Sequence, residues 1–355
     1  MEKMEKMDKA AKKTLVGVNY FAGWWRETPN KWQDSQNGFA DWRGKYPERI
    51  PMYGCFNDQA TMDSDIVNAS DHGVDYFQIL WYPVNCEGVD EAHFDHLNEG
   101  LSHFMNSKEN GRMKFCVEYC NHPPFSLVPQ KEWDEACELW CEAFAHPSYL
   151  KPNGKILFKV HGHDYLMAQF GGVPGAARRL SELREKAKNR TGLDMIITSG
   201  VTQGNDPLRL RGDMEAGIDF FSTYMDIPPD EPVEVDYDYE RLFGLAEDMA
   251  EKYGLAGVSY QPYFPAGWNP RPWHDPRPCY ALPGRVQIAE CVKKLMEIID
   301  RYDCLGISER GFGRVKAFTV YAWNEYGEGG MLAPNIIDGF SRLLGLKEAL
   351  SGPKS

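Results

Sequence analysis

The chain has 355 residues, with 39 Lys and Arg against 52 Asp and Glu, a formal charge of −13. Such an acidic surface repels phosphate backbones and argues against a nucleic-acid partner. At 43% hydrophobic and 26% charged residues the composition is that of a folded globular protein, long enough for one large domain or two small ones. Aromatics are the unusual part: 10 Trp, 18 Tyr and 18 Phe exceed what a core of this size needs, so where they fall matters.

The first 13 residues, MEKMEKMDKAAKK, mix charges and lack the apolar stretch of a secretory signal. No run approaches the length that spans a bilayer, so no membrane partner is expected. The expectation is an extension over 1–13 before a single domain over 14–355. The protein is expected in the cytoplasm, or in the periplasm or outside the cell if a leader has been removed.

From there, β-branched or aromatic runs alternate with longer amphipathic ones. Strands are predicted at Leu15–Tyr20, Tyr76–Trp81, Lys114–Cys120, Ile156–Val160, Met195–Ser199, Phe220–Tyr224, Val258–Gln261 and Ala317–Ala322. Helices are predicted at about Thr61–His72, Glu91–Asn106, Lys131–Ala145, Val173–Arg190, Pro207–Ala216, Tyr239–Tyr253, Arg285–Tyr302 and Gly339–Leu350. Helix-to-strand turns are short and marked by glycine, as at Gly73, Gly192 and Gly217. Strand-to-helix connections are long after the first and seventh strands. A (β/α)8 TIM barrel has this asymmetry, because its active site is built from the βα loops. The competing architecture is an open doubly wound sheet, but no Gly-rich phosphate turn follows Leu15–Tyr20. No cofactor is expected.

The nine cysteines are read as reduced thiols, since a chain of this length does not depend on disulfides. Cys116/Cys120 and Cys137/Cys141 have a spacing that weakly resembles a zinc site, but packing as small hydrophobes is favoured. Trp133 and Trp140, seven apart on one helix, are expected to pack. The other tryptophans, Trp24, Trp25, Trp32, Trp42, Trp81, Trp268, Trp273 and Trp323, fall at strand ends or in βα loops. There they either stack on sugar rings or form the small cores that long loops need.

The densest polar cluster follows the eighth strand: Tyr321-Ala-Trp323-Asn324-Glu325-Tyr326-Gly-Glu328. Two carboxylates three residues apart on a helix-like turn at a barrel mouth are neighbours. Their repulsion keeps a proton on one of them, which supplies the acid and the base for glycosidic cleavage.

Continued to Leu332-Ala333-Pro334, this stretch resembles the F-N-E-W-x-E-G-x-x-x-E-P signature of the WbsX-like proteins and of glycoside hydrolase family 99. Val18-Asn19-Tyr20, Arg49-Ile50-Pro51-Met52-Tyr53-Gly54, and Ala69 to Phe77 followed by Trp81-Tyr82 are similar to further segments of those proteins. The resemblance spans about Val16 to Leu350. It implies a TIM-barrel glycosidase acting on an oligosaccharide or polysaccharide with α-linkages, and in family 99 a retaining endo-α-mannosidase. In that family a carboxylate removes the proton of the sugar 2-OH to give a 1,2-anhydro sugar. By resemblance the general base is Glu325 and the general acid is Glu328. The chain departs from the pattern at Gly327, where family 99 has His, and at Ala333, where relatives commonly have Glu.

Glu118, at the end of the third strand, is either a hydroxyl acceptor in the mouth or a core carboxylate paired with a cation. His161 and His163, with Asp164, make an incomplete metal set, so no metal is expected and hydrogen bonding to hydroxyls is favoured. Tyr224 after strand six and Gln261 with Tyr263 after strand seven are further substrate contacts in this reading. So are Asn19, Tyr20, Trp24, Trp25, Trp81, Tyr82, Trp268, Trp323, Asn324 and Tyr326. Glycosyl transfer in polysaccharide assembly and non-catalytic glycan binding remain alternatives. Oligomeric state is not readable from the chain.

Overall fold

The computed structural model describes residues 14–83, 94–125, 130–228 and 236–351. The expected 1–13 extension lies outside them. Parallel strands β1 (Leu15–Tyr20), β2 (Tyr76–Trp81), β3 (Lys114–Tyr119), β4 (Ile156–Val160), β5 (Met195–Gly200) and β6 (Phe220–Ser222) pair in sequence order. The seventh strand is in two pieces, Tyr260–Gln261 and Tyr263–Pro265, together β7. Its first half pairs with β6 and its second with β8 (Ala317–Tyr321), which returns to β1. The ring therefore closes into a (β/α)8 TIM barrel, and the open-sheet alternative is excluded. The break falls at Pro262, which has no N–H to give to a ladder.

The helices are α1 (Gln59–Asp71), α2 (Phe94–Asn106), α3 (Gln130–Phe144), α4 (His163–Phe170), α5 (Val173–Thr191), α6 (Pro207–Asp213), α7 (Tyr239–Ala256), α8 (Arg285–Arg301) and α9 (Ser341–Leu350). Sequence reasoning missed α4, because eight residues closed by Gly171-Gly172 are too short to show a helical stripe. The turn after α5 is set by Gly192, whose φ of 75° closes the helix in the left-handed region. One connection at the N-terminal end of the barrel is long. Between α8 and β8 an antiparallel hairpin, Ile307–Glu309 with Phe312–Val315, fills the return.

Barrel strands are covered on both sides, so β2 reads Tyr-Phe-Gln-Ile-Leu-Trp and is buried throughout. Trp133 and Trp140 pack as expected, Trp140 against Phe158 of β4 and Trp133 against Phe170 of α4. The inward face is unusually polar. Asn19 lies in register with Gln78, and Glu118 with Lys159. This polar layer forms the floor under the barrel mouth.

The long loop from Phe21 to Asp58 builds its own core. Trp24, Trp32 and Trp42 are all buried, with ring centroids 4.3 Å apart for the first pair and 4.9 Å for the second. Their indole nitrogens donate to the carbonyls of Asn324 (2.8 Å), Cys55 (2.7 Å) and Lys31 (2.8 Å). Trp24 is therefore a loop-core residue rather than the sugar contact expected of it, because a 38-residue loop has to bury apolar surface of its own.

Candidate active site

The Asn324 to Glu328 segment is a tight hairpin rather than the helix-like turn expected. Asn324–Glu325 pairs antiparallel with Gly330–Met331, and the Glu328 N–H donates to the Glu325 carbonyl at 3.1 Å. Both carboxylates are thereby carried on one rigid tip just beyond β8. Two glycines make the tip possible. A Cβ on Gly330 would lie 2.2 Å from the Tyr321 ring, and one on Gly327 would lie 2.0 Å from the Trp273 indole. The place where family 99 has His is thus occupied here by a neighbouring tryptophan.

Each carboxylate has its own phenol donor. Tyr224 donates to Glu325 Oε1 at 2.6 Å, and the Tyr321 hydroxyl donates to Glu328 Oε2. Arg277 stands 4.0 Å from Glu328 but is held bidentate by Asp275. Burial, then repulsion from Glu328, pushes the Glu325 carboxyl up to about 8. Glu328 is also raised by burial, with Tyr321 and Arg277 pulling the other way. A pair of this kind retains one proton near neutrality, which is the state acid–base chemistry requires.

The two carboxylates line a cleft of about 360 Å³ at the C-terminal end of the barrel. Its walls bring together Tyr82, His161, Tyr224 and Trp268 from the sequence-based expectation. They also include Trp273, one of the loop tryptophans weighed for sugar stacking, and Lys31, His122 and Arg277, which sequence reasoning did not assign to the site. These four come from long βα loops with no local periodicity, and only folding brings Lys31 beside a hairpin about 300 residues later. Trp25 is half-buried and lines an adjoining depression that shares Lys31 and Trp273 with the cleft. At the other end of the barrel a depression of about 300 Å³ is lined by Lys155 and Glu309, which neutralise each other in an ion pair.

Several expected contacts lie elsewhere. Glu118 is fully buried in the barrel floor, where Oε2 accepts from Asn19 (2.9 Å) and Gln78 (2.7 Å). Its Oε1 meets Lys159 at 3.2 Å and His161 Nδ1 at 2.8 Å. Burial alone would raise this carboxyl, but Lys159 and His161 outweigh it and hold it down at about 2. The core-carboxylate alternative therefore describes Glu118, and the same network withdraws Asn19 from the surface.

Gln261 donates to Tyr76 and Thr319 within the barrel, and Tyr263 is buried. Tyr20 faces outward and donates to Asp65 of α1. Trp81 packs on Trp140, Trp323 on Phe77, and Tyr326 on Trp24 and Trp32. Asn324 braces the backbone of Phe21 through both ends of its amide. All of these were read as contacts because they end strands, but strand-end side chains alternate between the mouth and the helical layer. His163 departs for another reason: it opens α4, so it turns away from His161 and meets Asp213 at 3.1 Å in the helical layer. Among the described residues no group of three His, Cys, Asp or Glu is placed to hold a metal, and no helix is long and apolar enough to cross a membrane.

No family model and no curated protein sequence matches the chain. Solved structures do match in fold. A "glycoside hydrolase-like protein" is 14% identical, with 97% of this chain and 95% of that chain covered and a TM-score of 0.62. The GH99 endo-alpha-mannosidase from Bacteroides thetaiotaomicron is 14% identical, with 95% and 97% covered and a TM-score of 0.61. Its complex with bis-tris-propane gives 15% identity, 95% and 98% coverage and a TM-score of 0.57. At such identities the likeness is one of fold, and the chain is a single (β/α)8 barrel of the shape found in these glycoside hydrolases.

Proposed function

We propose that the protein is a glycoside hydrolase that cleaves an α-linked glycan in the cleft bearing Glu325 and Glu328. The observation that carries this reading is the hairpin beyond β8, which presents two proton-sharing carboxylates, each with its own tyrosine donor, to a cleft lined by the half-buried rings of Trp273 and Tyr224. Aromatic walls suit the apolar C–H faces of sugar rings, and the paired carboxylates suit acid–base cleavage. The motif resemblance and the shared fold support the same class.

In this reading Glu325 takes the proton of the sugar 2-OH as O2 attacks the anomeric carbon. Glu328 gives its proton to the departing glycosidic oxygen. Water, deprotonated by Glu328, then opens the 1,2-anhydro sugar at the anomeric carbon while Glu325 returns the proton to O2, giving retention. Burial raises both carboxyls, so the free protein does not by itself assign the shared proton to Glu328 as this sequence of events needs. The bound glycan makes the assignment. Its 2-OH donates to Glu325 and favours the ionised form, while its glycosidic oxygen accepts from Glu328 and favours the protonated form.

A screen of α-linked oligosaccharides with the product anomer read by NMR tests substrate and mechanism together. On the substrate it finds, Glu325→Gln and Glu328→Gln should each lower turnover by at least about a hundredfold with the fold intact. Near-wild-type turnover in both variants would refute the proposal.

A further inference from the structure

Lys31 is a charged group of the cleft that neither the sequence motifs nor the proposed chemistry uses. It sits in the loop between β1 and α1, and its backbone is pinned. The Lys31 carbonyl accepts from the Trp42 indole at 2.8 Å and from the Trp273 indole at 3.4 Å. Its ammonium lies 4.9 Å from the Trp273 ring centroid, 5.4 Å from that of Phe21 and 5.8 Å from that of Trp25. Three aromatic faces hold the cation through their negative π-surfaces. It makes no ion pair with any described carboxylate, yet it acts through space on both Glu325 and Glu328.

Two other cations near the pair have carboxylate partners of their own. Arg277 is clamped by Asp275 at 2.9 Å and 2.6 Å, and Lys159 is spent on Glu118 below the floor. Phenols and a thiol make up the rest of the surroundings: Tyr224, Tyr82, Tyr321 and Cys120 all interact with Glu325 and are uncharged near neutrality. His122 is held to about 4 by burial and by His161 beside it, so it too is neutral at pH 7. Lys31 is thus a cation of the cleft with no carboxylate paired to it among the described residues, facing two buried carboxylates.

We propose that Lys31 is a positioning residue whose ammonium permits the Glu325/Glu328 pair to carry one negative charge in a desolvated cleft, so that one member is a base while the other keeps its proton. The inference deepens the glycosidase reading and rests on it for its catalytic meaning, but its electrostatic content does not. Holding the cation on aromatic faces, away from a direct ion pair, leaves both carboxylates free to turn toward a glycan. A Lys–Glu ion pair at contact distance would instead tie up one of them.

The test is a titration of the pair by 13C NMR of the glutamate carboxyl carbons, assigned with Glu325→Gln and Glu328→Gln, in the wild type, Lys31→Met, Lys31→Gln and Lys31→Arg. An opposite charge within about 4–6 Å of a carboxyl shifts it by about one pH unit or more. Both neutral variants should therefore raise the first midpoint of the pair by about that much, while Lys31→Arg leaves it in place. Turnover should follow, with the acid limb of the pH–rate profile moving up in Lys31→Met and Lys31→Gln and returning in Lys31→Arg. A folded neutral variant with the wild-type midpoint would overturn the inference. So would a shift in Lys31→Arg as large as in Lys31→Met, or loss of the fold in both neutral variants. The titration needs no substrate, so a shifted midpoint with no glycan cleaved would remove the glycosidase reading and leave the charge assignment. Turnover with an unmoved midpoint would do the reverse.

Discussion

Glu118→Gln should unfold the barrel more readily and leave the affinity for a glycan unchanged. The wild-type carboxylate is held at about 2 against an ordinary 4.5. That difference of roughly 2.5 units corresponds to about 3 kcal/mol of folding stability at neutral pH. Removing the charge also leaves Lys159 buried without a partner, a loss in the range of about 3–5 kcal/mol. For a chain of 355 residues this amounts to a fall of about 4–7 °C in Tm, at about 2 cal/mol/K of unfolding entropy per residue. Because the folded-state value is depressed, the wild-type contribution is present above pH 4.5 and lost as pH falls toward 2. The gap between wild type and variant should therefore be full at pH 7 and shrink in thermal melts on the way to pH 3. The double variant Glu118→Leu with Lys159→Met should recover much of the loss, since apolar residues can replace a buried pair. A Glu118→Gln protein with wild-type Tm but a raised KM would refute this reasoning and return Glu118 to the substrate.

Glu325 has the opposite sign. Its carboxyl is raised to about 8, so its contribution to stability is complete below 4.5 and lost as pH rises through 8. Thermal melts of Glu325→Gln should match wild type near pH 4 and exceed it by about 3 °C or more at pH 9; a variant that melts lower than wild type at both pH values would contradict the burial argument. The tryptophans divide by location. Trp32→Ala removes a buried ring from the loop core and should cost about 3–5 kcal/mol in stability. Trp273→Ala removes a half-buried cleft wall and should chiefly raise KM, and equal effects of the two variants on KM would erase the distinction.

The alternation of buried runs with amphipathic ones, and the long loops after strands one and seven, pointed to the barrel. Those features are local; doubly covered parallel strands also suit an open doubly wound sheet, and the pairing of β8 with both β7 and β1 is what closes the ring. The same reading singled out Glu325 and Glu328 because they follow the C-terminal end of a barrel strand, where the βα loops gather. What the chain could not decide is which aromatic and polar side chains share that mouth. Trp24, Trp32 and Trp273 look alike in sequence, yet the first two close a loop core and the third walls the cleft. Glu118 could be told from a substrate contact only through Lys159 and His161 on the next strand, in register with it or just beyond. Lys31 and Arg277 meet the carboxylates through loops whose course depends on what they bury. The aromatics, prominent in the composition, are largely buried in the barrel, its helices and the core of the first loop, and only a few of the rings line the cleft.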